Sequence, residues 1–144
     1  MSDNRSGQIQ VIESVLQFVQ IGQFAIVEYR VADPGEDPPY AQAAREPSGW
    51  YLEVVSEFYL PRDVWPIDEL ALRREGWLPP ADVDENWWLR LDDSASLHEV
   101  ARHLVDGLAL GRRCAGDGEL SISIGTFPSD PDGGLPLPGL ADAA

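Results

Sequence analysis

The apolar positions change period several times along the chain, and each change marks an element. Over residues 7–21, Ile9, Ile12, Leu16 and Val19 recur at helical spacing, and Val11, Val15 and Phe18 widen the stripe. Ser6 or Asn4 caps the start and Gly22 ends it. An apolar face this wide predicts burial on more than one side, against a sheet and a partner chain. FAIVEYRV (24–31) alternates as a strand does, with Ala25, Val27, Tyr29 and Val31 opposite Ile26, Glu28 and Arg30. DPGEDPP (33–39) is turn chemistry, YAQAAR (40–45) reads as a second strand, and EPSG (46–49) turns the chain again. WYLEVVSEFYL (50–60) is the clearest strand. Trp50, Leu52, Val54, Phe58 and Leu60 share one face with Ser56 as the polar exception, and Tyr51, Glu53, Val55, Glu57 and Tyr59 share the other. The short turns predict an antiparallel three-strand meander.

Pro66 opens a second helix, PIDELALRRE (66–75), with Asp68 and Glu69 at its positive end and Arg73 and Arg74 at its negative end. Gly76 suits the left-handed position after it, so that Trp77 folds back on Leu72 in a Schellman closure. Leu78-Pro79-Pro80 cannot continue a helix. WWLRLD (87–92) predicts a fourth strand, with Trp87, Leu89 and Leu91 opposite Trp88, Arg90 and Asp92. Ser96 and Glu99 form a capping box for a helix running to about Leu110, stopped by Gly111. ELSISI (119–124) is a candidate closing strand. Residues 125–144 form a Pro/Gly-rich acidic tail, in which Leu135, Leu137 and Leu140 can dock. The expectation is an α+β domain over residues 1–124, with an antiparallel sheet, helices packed on one face, and the order α-β-β-β-α-β-α plus a closing strand.

Charge narrows the partners. The 144 residues carry 10 basic side chains, all arginine, against 25 acidic ones, for a net charge of −15. Such a surface repels phosphate backbones and anionic lipid, which argues against nucleic acid and membrane as partners. The polar start MSDNRSGQIQ and the lack of any apolar run near ~18 residues predict a soluble cytoplasmic protein. Chemistry is sparse. Cys114 stands alone, so neither an intrachain disulfide nor a cysteine metal cage is available. His98 and His103 lie five apart on one helix and do not share a face; both read as surface histidines. Asp82, Asp84 and Asn86, with Asp93 beyond, imitate a calcium loop, but Trp87 stands where that loop needs glycine. Glu53 and Glu57, roughly 13 Å apart along a strand, are too distant for a glycosidase pair and read as a solvated face. No nucleophile elbow, phosphate-cradling loop or Cys/His pair occurs. The expectation is a non-enzyme with no catalytic residues, metal or cofactor.

The aromatic residues carry the remaining signal. Strand neighbours point to opposite faces, so one of Trp87 and Trp88 enters the core and the other is free to grip an apolar segment. Trp65 before the second helix, and Tyr51, Val55 and Tyr59 on the outer strand face, complete the candidate contacts for a peptide. The runs YAQAA, GWYLEVVSEFYLP, DELALRREGWLPP, ENWWLRL and EVARHLVDGL, in that order over about residues 24–110, resemble the TY-Chap family, the group similar to type III secretion chaperones. The resemblance implies a small acidic α+β module, a homodimer, that holds a client protein or peptide in extended form without ATP. The alternative is an immunity or regulatory protein-interaction module of a toxin system, and a third reading is a small-ligand binder with a tryptophan pocket.

Overall fold

The computed structural model of the chain describes residues 5–31, 38–83, 85–114 and 118–126. Helix α1 (Arg5–Leu16) leads into strands β1 (Gln23–Arg30), β2 (Tyr40–Glu46) and β3 (Gly49–Val54). A short helix α2 (Glu69–Arg74), strand β4 (Trp87–Asp92), helix α3 (Leu97–Asp106) and strand β5 (Glu119–Thr126) follow. The five strands form one antiparallel sheet in the order β4-β3-β2-β1-β5. The α+β class and the element order are those the periodicity predicts. The closing strand is real: β5 pairs with β1 along the whole of β1 and runs to Thr126, past residue 124. The tail beyond it, with Leu135, Leu137 and Leu140, lies outside the described residues, as do Asn4 and most of the 33–39 turn.

Register fixes which face is buried. Ile124, Ala25, Ala43, Leu52 and Leu89 form one row across the sheet, flanked on the same face by Val27, Ala41, Trp50, Val54 and Trp87 in a single core. Helices α1 and α3 pack together, and α3 crosses β2. The alanines of β2 thereby gain a role that composition hides: small side chains at Ala41 and Ala43 let Val100, Ala101, Leu104 and Leu108 approach the sheet closely. Ser96 accepts from the Glu99 amide at 3.1 Å, and the reciprocal half of the capping box is present.

Several boundaries differ from the expectation. α1 ends at Leu16, where tight turns take over, and Val11, Phe18 and Ile21 stay exposed. Asp68, not Pro66, starts α2, its carboxylate accepting from the Ala71 amide at 3.1 Å. β3 stops at Val54, so Phe58 lies in solvent rather than in the core, and Val55 is 1% exposed rather than on an outer face. The reason is a competing acceptor. Asn86 Oδ1 takes the Ser56 amide at 2.9 Å, and the Leu60 amide donates to Ser56 O, which closes a turn where alternation would have continued. Glu53 is not solvated. It is buried, with Gln42 Nε2 donating to Oε1 at 2.8 Å and the Tyr51 hydroxyl donating to Oε2 at 3.0 Å. His103 is also buried, bonded to Glu99 O at 2.8 Å with its ring edge-on to Trp77.

The predicted helix closure is present. Gly76 has φ +95°, its amide donates to Arg73 O, and the Trp77 amide donates to Leu72 O at 3.0 Å. Gly49 is constrained twice over, by φ +145° and by a close approach in which a Cβ would collide with the Leu91 carbonyl. A Cβ at Gly76 meets no atom within 4 Å. Gly76→Ala therefore carries only left-handed strain and costs about 1–2 kcal/mol in urea unfolding. Gly49→Ala adds the collision and costs about 2–5 kcal/mol. Equal losses for the two variants would refute this ranking.

Candidate functional site

After Asp106, α3 widens into a π-helical turn, Gly107–Gly111, that packs against the end of α2. Two glycines allow the approach: a Cβ at Gly107 would sit 3.0 Å from the Trp77 ring, and one at Gly111 would strike Leu72. The turn delivers Arg112 into the interior, where it is 0% exposed. Its guanidinium donates to three backbone carbonyls, from Nη1 to Val55 at 3.0 Å and from Nη2 to Leu60 at 2.6 Å and Trp65 at 2.9 Å. Trp65 Nε1 returns a bond to Arg112 O at 2.6 Å, and the Asp68 amide donates to Gly111 O at 2.7 Å. Burial lowers the Arg112 pKa to about 10, which still leaves it charged at neutral pH. One residue just past the π-helical turn thus ties together the 55–65 segment and, through its neighbour Gly111, the start of α2.

That segment forms one wall of a groove of about 570 Å³. The opposite wall is formed by residues 79–83 and Glu85. Leu78 pairs with Trp88 through bonds of 2.8 and 3.1 Å, and the two prolines that follow cannot extend the ladder, so the chain leaves the sheet. Glu85 accepts from the Ala81 amide at 3.2 Å and steadies the loop. Asn86, buried, joins the walls: it accepts from Ser56 and donates to the Tyr40 hydroxyl at 3.3 Å and to Glu53 at 3.4 Å. Trp87, 3% exposed, forms the floor. Phe58 and Val83 stand at the rim, 56% and 77% exposed, with Pro79 and Pro80 beside them. The charged lining consists of Glu57, Glu69, Asp82 and Glu85. Among the described residues, no group of three or more His, Cys, Asp or Glu is placed to hold a metal ion. Asp84 of the calcium-like run lies outside the described residues, and Asn86 is committed to the wall contacts.

The family model for TY-Chap3, described as T3SS (YopN, CesT) and YbjN peptide-binding chaperone 3, matches residues 10–115. The chain belongs to the TY-Chap3 family. The match begins within α1 and runs just past Cys114, and so includes both groove walls and Arg112. No curated protein and no solved structure matches this TY-Chap3 chain. No helix among its described residues is long and apolar enough to cross a membrane.

The sequence-derived contact residues of this TY-Chap3 chain do not converge. Trp87 is the groove floor and belongs to the core. Trp88 lies half-buried on the opposite sheet face, stacked on Tyr51 with ring centroids 6.3 Å apart, and Arg90 covers Tyr51 at 4.6 Å. Burial and the adjoining Glu53 carboxylate raise the Tyr51 pKa and keep the hydroxyl protonated. Trp65 is a brace, edge-on to Tyr29 and bonded to Arg112, and Val55 is buried, its carbonyl accepting from Arg112, with no surface to offer. Tyr59 is not part of the groove lining, but its ring stands edge-on to that of Phe58 with centroids 4.9 Å apart. Cys114 is buried, and its thiol is pushed up to about 12, which leaves it a protonated core residue. Phe58 reads from its period as a core member of the 50–60 stripe and comes to the rim only because β3 ends at Val54, whereas Val83 stands alone among acids in a loop, outside any periodic stripe. The two neighbouring tryptophans should separate by stability. Trp87→Ala costs about 3–5 kcal/mol, whereas Trp88→Ala, losing a half-exposed stack, costs about 1–2 kcal/mol. Chemical unfolding that reverses this order would contradict the assignment of Trp87 to the core.

Proposed function

We propose that this chain holds an extended client segment in the groove between Ser56–Phe58 and the wall of residues 79–83 and Glu85, without catalysis and without ATP. The observation that carries this reading is the pair Phe58 and Val83, two large apolar side chains exposed on facing walls above a tryptophan floor. Apolar surface gathered in a polar-rimmed concavity is the usual form of a binding site. Membership of a peptide-binding chaperone family supplies the ligand class. The walls are fixed by Arg112 and Asn86 before any client arrives, so little ordering cost falls on the protein. Anisotropy titration with labelled leucine-rich peptides tests the reading. Phe58→Ser and Val83→Ser should each weaken capture by roughly tenfold or more and change folding stability by less than about 0.5 kcal/mol. Undiminished capture by both variants would remove the groove as the site.

The same reading includes a homodimer formed through α1. Two copies at −15 repel each other, so pairing favours a surface where charge is sparse. α1 carries only Arg5 and Glu13 as charged residues, and Val11, Phe18 and Ile21 are exposed along and just beyond it. Sedimentation equilibrium at micromolar concentration should give twice the chain mass of 15.9 kDa. A monomer throughout that range would exclude the pairing.

A further inference from the structure

The charge around this groove indicates which segment it takes, an inference that rests on the groove reading. Glu57 and Glu69 stand on one side, Asp82 and Glu85 on the other, and no described lining residue is basic. A single exposed carboxylate gains little from a cation. Carboxylates on both walls of one cleft, with an apolar floor between them, act together and focus the field inward. Two of them already share a cation. Arg62, on the same segment as Phe58, donates from Nε to Glu57 and from Nη2 to Glu69 at 2.8 Å. A guanidinium is the cation whose planar fork suits two carboxylates at once. The contact is solvent-exposed and carried on a long side chain, so it exchanges readily.

We propose that the groove selects client segments in which an arginine adjoins a large apolar side chain, and that Arg62 occupies that arginine's place in the free chain. An incoming guanidinium displaces Arg62 and forks onto Glu57 and Glu69. Its apolar neighbour packs on Phe58 and Val83 over Trp87. A basic, apolar, extended segment is also the partner that a chain of net charge −15 attracts over distance.

Labelled peptides alternating leucine with arginine, with serine or with glutamate test this by anisotropy with the full chain. The arginine peptide should bind roughly tenfold tighter than the serine peptide, and the glutamate peptide most weakly. The double variant Glu57→Gln, Glu69→Gln should abolish the preference. Asp93→Asn with Glu119→Gln, which changes net charge equally outside the groove lining and outside α1, should keep it. Arg62→Gln should tighten the arginine peptide by roughly threefold and leave the serine peptide unchanged. Equal binding of arginine and serine peptides, with Phe58→Ser weakening both, would overturn the selectivity and leave the groove reading standing. A preference that survives the Glu57/Glu69 double variant would overturn it in favour of net charge. Failure of every peptide to bind would overturn both.

Discussion

A buried guanidinium has to be solvated by something, and in this chain three carbonyls do it. Arg112 brings a full positive charge into the interior, and the acceptors at Val55, Leu60 and Trp65 replace the water of its two terminal nitrogens, while buried Nε has no partner among the described residues. Charge-assisted bonds of this kind contribute about 1.5–3 kcal/mol each, and leaving such a charge unsatisfied would cost far more. The carbonyls have no sheet or helix partner of comparable strength in that turn-rich stretch. The two needs meet in one place, which is why a segment of turns holds a defined path between β3 and α2. The π-helical turn that precedes Arg112 aims it there, and its two glycines let it lie against Trp77 and Leu72.

The groove follows from that anchor. Ser56, Glu57 and Phe58 lie in the segment that Arg112 holds, and Glu69 lies on the helix whose first turn Gly111 holds. Asn86 couples this wall to that of residues 79–83 and Glu85 through a single buried amide. Rigid walls allow Phe58 and Val83 to remain exposed without collapsing onto the core. The apolar rim and the surrounding acids are thus consequences of one backbone arrangement, which lies within the stretch that the family model matches.

Local signals in the sequence were legible where local bonds decide the structure. Gly76-Trp77 closes α2 as the spacing predicts because the closure involves only neighbours, and the same holds for the Ser96–Glu99 capping box and the alternation of Trp87 to Asp92. Long-range bonds defeated the pattern elsewhere. The alternation through Glu57 and Tyr59 reads as strand, yet Asn86, thirty residues on, captures the Ser56 amide and ends β3. Arg112 and Arg113 are adjacent and chemically identical; one is fully buried and the other exposed, and only the fold distinguishes them. Glu53 reads as a solvated acid because its partners Gln42 and Asn86 come from other elements. Of the candidate contact residues, Trp87 lines the groove and Tyr59 reaches it only through Phe58; Phe58 itself reads from its period as a core residue because the alternation hides the end of β3, and Val83 carries no periodic mark.

Native-state hydrogen exchange on Arg112→Lys tests the dependence of the groove wall on this one side chain most directly. Lysine keeps the charge and much of the length, but its compact ammonium cannot span three separated carbonyls. The amides of Leu60, Val64 and Trp65, which close the turns of the held segment, should lose about 2 kcal/mol of protection, a roughly thirtyfold faster exchange, while the β1–β2 ladder keeps most of its own. Protection at Leu60, Val64 and Trp65 equal to that of the unsubstituted chain would contradict the claim that Arg112 holds the wall.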